Sequence, residues 1–370
     1  MTDLYRQSIE IILHNQTASG AYLASPNFPT YHYCWFRDGS FIAYAMDLVG
    51  EHESARRFHQ WAATAVGARA EVVERAIAKA SRGEPLAGTD YLHTRYAPDG
   101  TEAAGVEWPN FQLDGFGTWL WALGEHARLT RDAHSLPPQW LRAAGHLADY
   151  LTALWALPCY DCWEEFPNRV HPHTLAAIFG GLAAHSGLTG ADHGPTLSAI
   201  QEFVRRRGAA KGGFAKFIGS QEVDASLLGL AVPYGVVAPD DPQMLTTIHR
   251  IEQELRRGGG VHRYAADTYY GGGEWVLLTA WLGWYYAQAG EWDKAQNALR
   301  WVEAQADSQG RLTEQVPATL NAPAHYTPWR ERWGEVANPL LWSHAKYLVL
   351  VTALKTGRDL AVPSQPRIAS

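Results

Sequence analysis

Long Ala/Leu-rich windows with a polar face recur along the chain, while the Val/Ile/Thr alternation that marks strands is scarce. The first window sets Leu4, Tyr5, Ile9, Ile12 and Leu13 on one side of an amphipathic helix. Twelve helices are predicted, over 3–15, 38–50, 52–81, 112–131, 136–156, 172–187, 190–207, 222–232, 240–257, 274–289, 291–306 and 338–356. Gly50, Pro158 and Gly290 follow three of them, where a helix has to stop. Short gaps make consecutive helices antiparallel neighbours. Odd-numbered members are rich in charge (Glu53, Arg56 and Arg57; Glu202, Arg205, Arg206 and Arg207), whereas the tenth is apolar on every side. A helix without a polar face belongs inside something large. The alternation of exposed and buried helices predicts an all-α fold, an (α/α)6 barrel of six inner and six outer helices.

The unusual residues gather ahead of the even, inner helices, in loops 31–38, 105–114, 160–173, 212–224, 258–273 and 312–337. In such a barrel all six loops open at one end and build one pocket. The best break in the chain, the stretch from Ser81 to Gly88, reads as a loop. Residues 1–370 are therefore expected to form a single catalytic domain, with 363–370 a poorly ordered tail.

Composition narrows the ligand. The 16 Trp and 17 Tyr exceed what a core needs and suit a pocket, because their ring faces are flat and apolar with a polar edge. A net charge of -7 with no Lys/Arg-rich run argues against nucleic acid and for a neutral ligand. Three cysteines, Cys34, Cys159 and Cys162, are too few for a secreted disulfide framework. Residues 1–16 lack the unbroken apolar centre of a signal peptide, and the uncharged segment 275–290 falls short of the roughly 20 residues that span a bilayer. A cytoplasmic protein with no membrane partner is expected.

The third loop, Tyr160-Asp161-Cys162-Trp163-Glu164-Glu165, sets two adjacent carboxylates directly after an indole. Cleaving a glycosidic bond needs a carboxylic acid to protonate the leaving oxygen and a second carboxylate to activate water or attack the sugar. Like charge and desolvation would both help Glu164 hold a proton at neutral pH; a solvated acidic turn reads the same until a partner is found. The sixth loop offers that partner as Glu314 or Glu335, and spacing does not choose between them. In the first loop Arg37 and Asp38 follow aromatics and could hydrogen-bond ligand hydroxyls, although Asp38 is equally well placed as an N-cap. In the second, which begins Glu107-Trp108, Trp108 could be a stacking platform and Asp114 a helix cap. The fourth loop, from Gly213 to Asp224, carries charges without a pattern and reads as structural. The fifth repeats a polar pair, Arg263 and Asp267, amid aromatics, and its glycines lack the Lys-Ser/Thr of a phosphate loop. His171 and His173 are either ligand contacts or first-turn residues of the sixth helix. Cys159 and Cys162 have no second pair to complete a zinc site and no thioredoxin-like context, and no G-x-S-x-G is present for acyl transfer.

Taken together, the loops resemble glycoside hydrolase family 15, the glucoamylase family. The resemblance rests on Tyr31-x-Tyr33-x-Trp35-x-Arg37-Asp38, Trp108 with Asp114, Asp161-Cys162-Trp163-Glu164-Glu165, Arg263-Tyr264-x-x-Asp267-x-Tyr269-Tyr270 with Trp275, and Glu314-Gln315, in the family's order over about 22–356. It implies an (α/α)6 barrel and inverting release of β-glucose from non-reducing α-glucosidic ends, without metal or other cofactor. By motif, Glu164 matches the general acid and Glu314 the general base, with Tyr31 near the catalytic water. Arg37, Asp38, Arg263 and Trp163 would hold the terminal glucose and Glu165 would lie near the next sugar; Trp35, Trp108, Asp267, Tyr270 and Trp275 complete the implied binding set.

The family's N-terminal β-sandwich and starch-binding module have no counterpart here, which points to small oligosaccharides. The segment from Glu165 to His173 and the loop from Trp329 to Asn338 resemble the short bacterial isomaltose glucohydrolases, which cut α-1,6 bonds. Cleavage of α-1,4 bonds or of trehalose stays open. Phosphorylases and epimerases use similar barrels, and a non-catalytic sugar-binding protein would not need two widely separated acids.

Overall fold

The computed structural model describes residues 3–103, 108–131 and 136–357. Glu107 and the expected tail 363–370 lie outside the described residues. The chain runs α1 (Asp3–His14), α2 (Phe36–Leu48), α3 (His52–Gly67), α4 (Ala70–Ser81), α5 (Asp114–Thr130), α6 (Pro138–Leu154), α7 (Pro172–Thr189) and α8 (Gly194–Arg207). A 3-10 segment, Ala225–Leu230, precedes α9 (Pro242–Arg250), α10 (Val276–Gln288), α11 (Trp292–Ala304), α12 (Tyr326–Trp333) and α13 (Leu341–Thr356).

The inner ring closes in chain order: α2 packs on α5, α5 on α7, α7 on the 3-10 segment, that segment on α10, α10 on α13, and α13 back on α2. Its members are those without a polar face. Every residue of α10 from Val276 to Ala287 is buried, whereas outer α11 buries only Ala295, Ala298, Leu299 and Val302, one stripe at helical spacing. The tightest contact of the ring, α5 on α7, needs glycine: a Cβ on Gly117 would meet the Ala177 carbonyl oxygen at 2.4 Å, and one on Gly181 would meet that of Gly117 at 2.4 Å. Below the loops the barrel is filled by aromatic rings. Phe41 lies 5.5 Å from Trp342 and 5.4 Å from Trp281, so no channel runs through it.

The barrel expected from the sequence is the one observed, with local corrections. The single helix over 52–81 is two, parted after Gly67, where the Arg69 guanidinium turns back to donate to the Ala65 carbonyl at 2.7 Å. The helix over 222–232 shrinks to a 3-10 segment, because Gly229 and Pro233 both oppose a longer α-helix. The helix over 240–257 ends in a π turn, Ile251–Leu255, and then enters a strand. Two-residue strands brace the pocket end, and Arg256–Arg257, Gly260–Val261, Glu274–Trp275 and Gln315–Val316 form one small sheet. The sixth loop contains α12, which the helix pattern did not predict.

Candidate active site

At the loop end lies a cavity of about 270 Å³ lined by Glu164 and Glu314. Glu164 sits in a closed turn. Its N–H donates to the Asp161 carbonyl, and one Asp161 carboxylate oxygen accepts from the N–H groups of Trp163 at 3.0 Å and Glu165 at 2.8 Å. Glu164 thereby takes φ 69°, a left-handed conformation costly for a residue with a Cβ and met where function demands it. One of its carboxylate oxygens accepts from the Trp35 indole at 2.7 Å and from the Gln112 amide at 3.2 Å, which aims it into the cavity.

Glu314 enters from the sixth loop, and its N–H is fixed on the Ala337 carbonyl at 3.0 Å. The next residue points the opposite way along the strand. Gln315 accepts from the Gly273 N–H at 2.8 Å and donates to the Tyr269 carbonyl at 3.2 Å, tying the fifth loop to the sixth. Burial pushes the Glu314 carboxyl up to about 8, against the pull of the Arg263 guanidinium and the hydroxyls of Tyr31 and Tyr269. Tyr31 and Tyr269 share a hydrogen bond of 2.9 Å, and the Tyr31 hydroxyl feels the charge of both glutamates. Glu335 is exposed, paired with Arg330 and does not line the cavity, whereas Glu314 does.

Among the described residues, several buried polar atoms in the cavity wall make no hydrogen bond, the Arg37 Nε–Asp38 Oδ2 ion pair at 3.5 Å included. They are Arg37 Nε, Asp38 Oδ2, Glu314 Oε2 and the indole nitrogens of Trp108, Trp275, Trp333 and Trp342. Buried polar groups are rarely left so, and a cluster of donors and acceptors between aromatic faces is what a polyhydroxylated ligand would satisfy.

The expected binding residues divide into two groups. Trp35, Arg37, Asp38, Trp108, Trp163, Glu165, Arg263 and Trp275 line the cavity with Tyr31 and both glutamates. Asp267 and Tyr270 do not. Asp267, fully buried, clamps Arg263 through two hydrogen bonds of 2.8 and 2.5 Å. Tyr270 stacks 6.0 Å from Trp329 and donates to the Gly334 carbonyl, supporting the wall from outside.

Asp38 and Asp114 are not helix caps. Asp38 lies inside the first turn of α2, whose N-cap is Trp35, and Asp114 accepts from Arg37 Nη1 at 3.1 Å. Burial raises the Asp38 carboxyl to about 6 despite Arg37 beside it. Arg95 stacks 3.7 Å over the Trp108 ring. His171 and His173 bond the carbonyls of Cys159 and Ser226 and line no part of the cavity, which favours the structural reading. Cys159 and Cys162 are buried free thiols.

The fourth loop lines none of the cavity, so the pocket is not built from all six. That loop instead supplies Lys216, whose ammonium lies 2.7 Å from Asp224 and 3.7 Å from Asp161, while Asp224 accepts from the Trp163 indole at 3.0 Å. Lys216, Asp224, Gln112, Trp329 and Trp333 are not among the site residues expected from sequence, where the fourth loop reads as structural and Trp329 only opens the loop likened to isomaltose glucohydrolases. A lysine flanked by Ala215 and Phe217, and two tryptophans four apart on a short helix, were the available signals.

The model of "Glycosyl hydrolases family 15" matches residues 2–340. The chain belongs to this family. It is accordingly a glycoside hydrolase. Among its relatives, the isomaltose glucohydrolase of Kribbella flavida is 42% identical over 95% of this chain and 92% of its own. The solved structure of a glycosidase variant in complex with glucose is 40% identical, covers 95% of this chain and 96% of its own, and superposes with a TM-score of 0.90. A bacterial glucoamylase complexed with acarbose, 22% identical, covers 98% of this chain and 56% of its own with a TM-score of 0.74, a likeness of fold. Among the described residues no helix of this family member is long and apolar enough to cross a membrane.

Proposed function

We propose that this enzyme is an inverting exo-glucohydrolase of small α-gluco-oligosaccharides, α-1,6-linked ones first, with Glu164 as general acid and Glu314 as general base. The observation that carries the reading is the pair of glutamates entering one cavity from separate loops, among unpaired donors and acceptors. Glu164 gives its proton to the leaving glycosidic oxygen. Glu314 acts in its ionised form, which Arg263 and the Tyr31 and Tyr269 hydroxyls favour against burial, and takes a proton from a water on the opposite face of the sugar ring, and that water attacks the anomeric carbon. The carbon inverts, so an α-glucoside plus water yields β-glucose and the shortened sugar.

Arg37 Nε and Asp38 Oδ2, ion-paired at 3.5 Å without a hydrogen bond among the described residues, offer a donor and an acceptor to the hydroxyls of the terminal glucose, and Asp267 holds Arg263 for the same purpose. Glu165, bonded to the Tyr264 hydroxyl at 2.6 Å, stands at the next sugar. The packed aromatic floor admits a chain end and not a chain's middle, which supports exo action. Preference for the α-1,6 linkage is drawn from the Kribbella relative. Three free cysteines fit a reducing cytoplasm, with the whole chain acting as one catalytic domain.

Proton NMR of the purified enzyme with isomaltose, maltose and trehalose, in buffer with and without phosphate, tests this. Fresh β-glucose without phosphate, fastest from isomaltose, is the expected result. α-Glucose as the first product refutes inversion, glucose 1-phosphate makes the enzyme a phosphorylase, and absence of turnover refutes the substrate class.

A further inference from the structure

Away from the pocket, Asp47, His59 and His126 meet inside the barrel wall. Asp47 stands near the C-terminus of α2, about 14 Å of helix rise beyond Asp38. His126 stands near the C-terminus of α5, and His59 reaches in from α3. All three side chains are buried, and one ligating atom from each lies within 4.8 Å of the others. His126 Nδ1 is 2.9 Å from one Asp47 oxygen, and His52 Nδ1, on the half-exposed first turn of α3, is 2.8 Å from the other.

His59 is the anomaly. It is wholly buried, its ring 5.6 Å from Trp140 and 4.9 Å from His126, and among the described residues neither of its nitrogens has a hydrogen-bond partner. If the slot asked only for a flat ring, phenylalanine would fill it without two unsatisfied polar atoms.

We propose that Asp47, His59 and His126 bind a divalent transition metal, zinc by preference, with His52 orienting Asp47 from behind. Imidazole nitrogens with one carboxylate oxygen are a zinc donor set, and tetrahedral zinc with bonds of about 2.0–2.1 Å spaces its ligand atoms about 3.3 Å apart. The Asp47–His126 pair already approaches that spacing, so His59 is the ligand that moves inward, while His52 holds the other Asp47 oxygen. The ion takes the place of the Asp47–His126 hydrogen bond and ties α2, α3 and α5 together. His52, with 44% of its side chain exposed, marks the way in. The site touches neither glutamate of the pocket, and its role is structural.

The test uses the full chain, stripped with EDTA, returned to metal-free buffer and titrated with zinc chloride by calorimetry. One equivalent should bind, and zinc at about 100 times its dissociation constant should raise Tm by ~3–4 °C. Cobalt in its place should show the visible absorption of a tetrahedral ion. His59→Phe should keep the metal-free Tm and lose the zinc-dependent rise, and Asp47→Asn should lose it too. If neither folds, His52→Ala serves, with zinc affinity expected to fall about 10-fold or more. A wild-type Tm indifferent to zinc overturns the proposal. So does an equal rise in the variants, which would mean an adventitious ion only, held by surface histidines.

Discussion

Replacing Lys216 with methionine should disable the acid turn from behind. The ammonium is almost fully buried between Asp224 and Asp161 and lies 3.2 Å over the Tyr264 ring. Its loss leaves two buried carboxylates without a cation, and breaking a buried pair in this way costs about 3–5 kcal/mol. For a chain of this size that is a Tm lower by roughly 4–6 °C. Burial already holds the Asp161 carboxyl up at about 7 with Lys216 pulling down, so without the lysine Asp161 takes a proton. A neutral carboxyl is a weaker acceptor for the N–H groups of Trp163 and Glu165, and the turn that keeps Glu164 at φ 69° relaxes. A displacement of about 1 Å at a catalytic group costs on the order of 10²-fold. Steady-state kinetics on isomaltose should therefore show the loss in kcat, and thermal unfolding the loss in Tm. Lys216→Met combined with Asp161→Asn should recover part of the Tm, because the amide needs neither a cation nor a proton to stay buried, while its oxygen, a neutral acceptor like the protonated carboxyl, leaves kcat low. Turnover within twofold of wild type in Lys216→Met, or a loss confined to KM, would refute the reasoning.

Glu164→Gln and Glu314→Gln should each lower kcat by about 10³-fold or more while glucose still binds by calorimetry; near-normal turnover in either removes its assigned role. Tyr31→Phe deletes a hydroxyl that holds the Glu314 pKa down, and the base must be ionised, so the acid limb of kcat/KM should move to higher pH. A limb that stays in place contradicts that coupling. The folded-state pKa of Glu314, about 8, exceeds its unfolded value of about 4.3, so ionisation favours unfolding. The stability present below about pH 4.3 is lost as pH rises through about 8. Glu314→Gln should accordingly gain Tm over wild type increasingly across that window, and an equal difference at both ends would show that burial of the charge is not the cause.

The barrel was legible because helices such as α10, apolar on every side, have only one place to go, and because loops rich in Trp, Glu and Arg lie ahead of the inner helices. What stayed hidden was set by contacts distant in the chain. Asp38 and Asp114 occupy helix starts, where an acid reads as a cap, but their common partner is the Arg37 guanidinium, brought between them only when α2 packs on α5. Asp267 and Tyr270 share a motif with Arg263, yet the motif does not say which side chains face the ligand and which hold the others in place. The fourth loop shows the point most clearly. It contributes nothing to the cavity surface, and through Lys216 it fixes Asp161, hence the conformation of Glu164. A pattern search finds residues that touch the sugar more readily than a buried cation two contacts away, although the geometry of the acid depends on both.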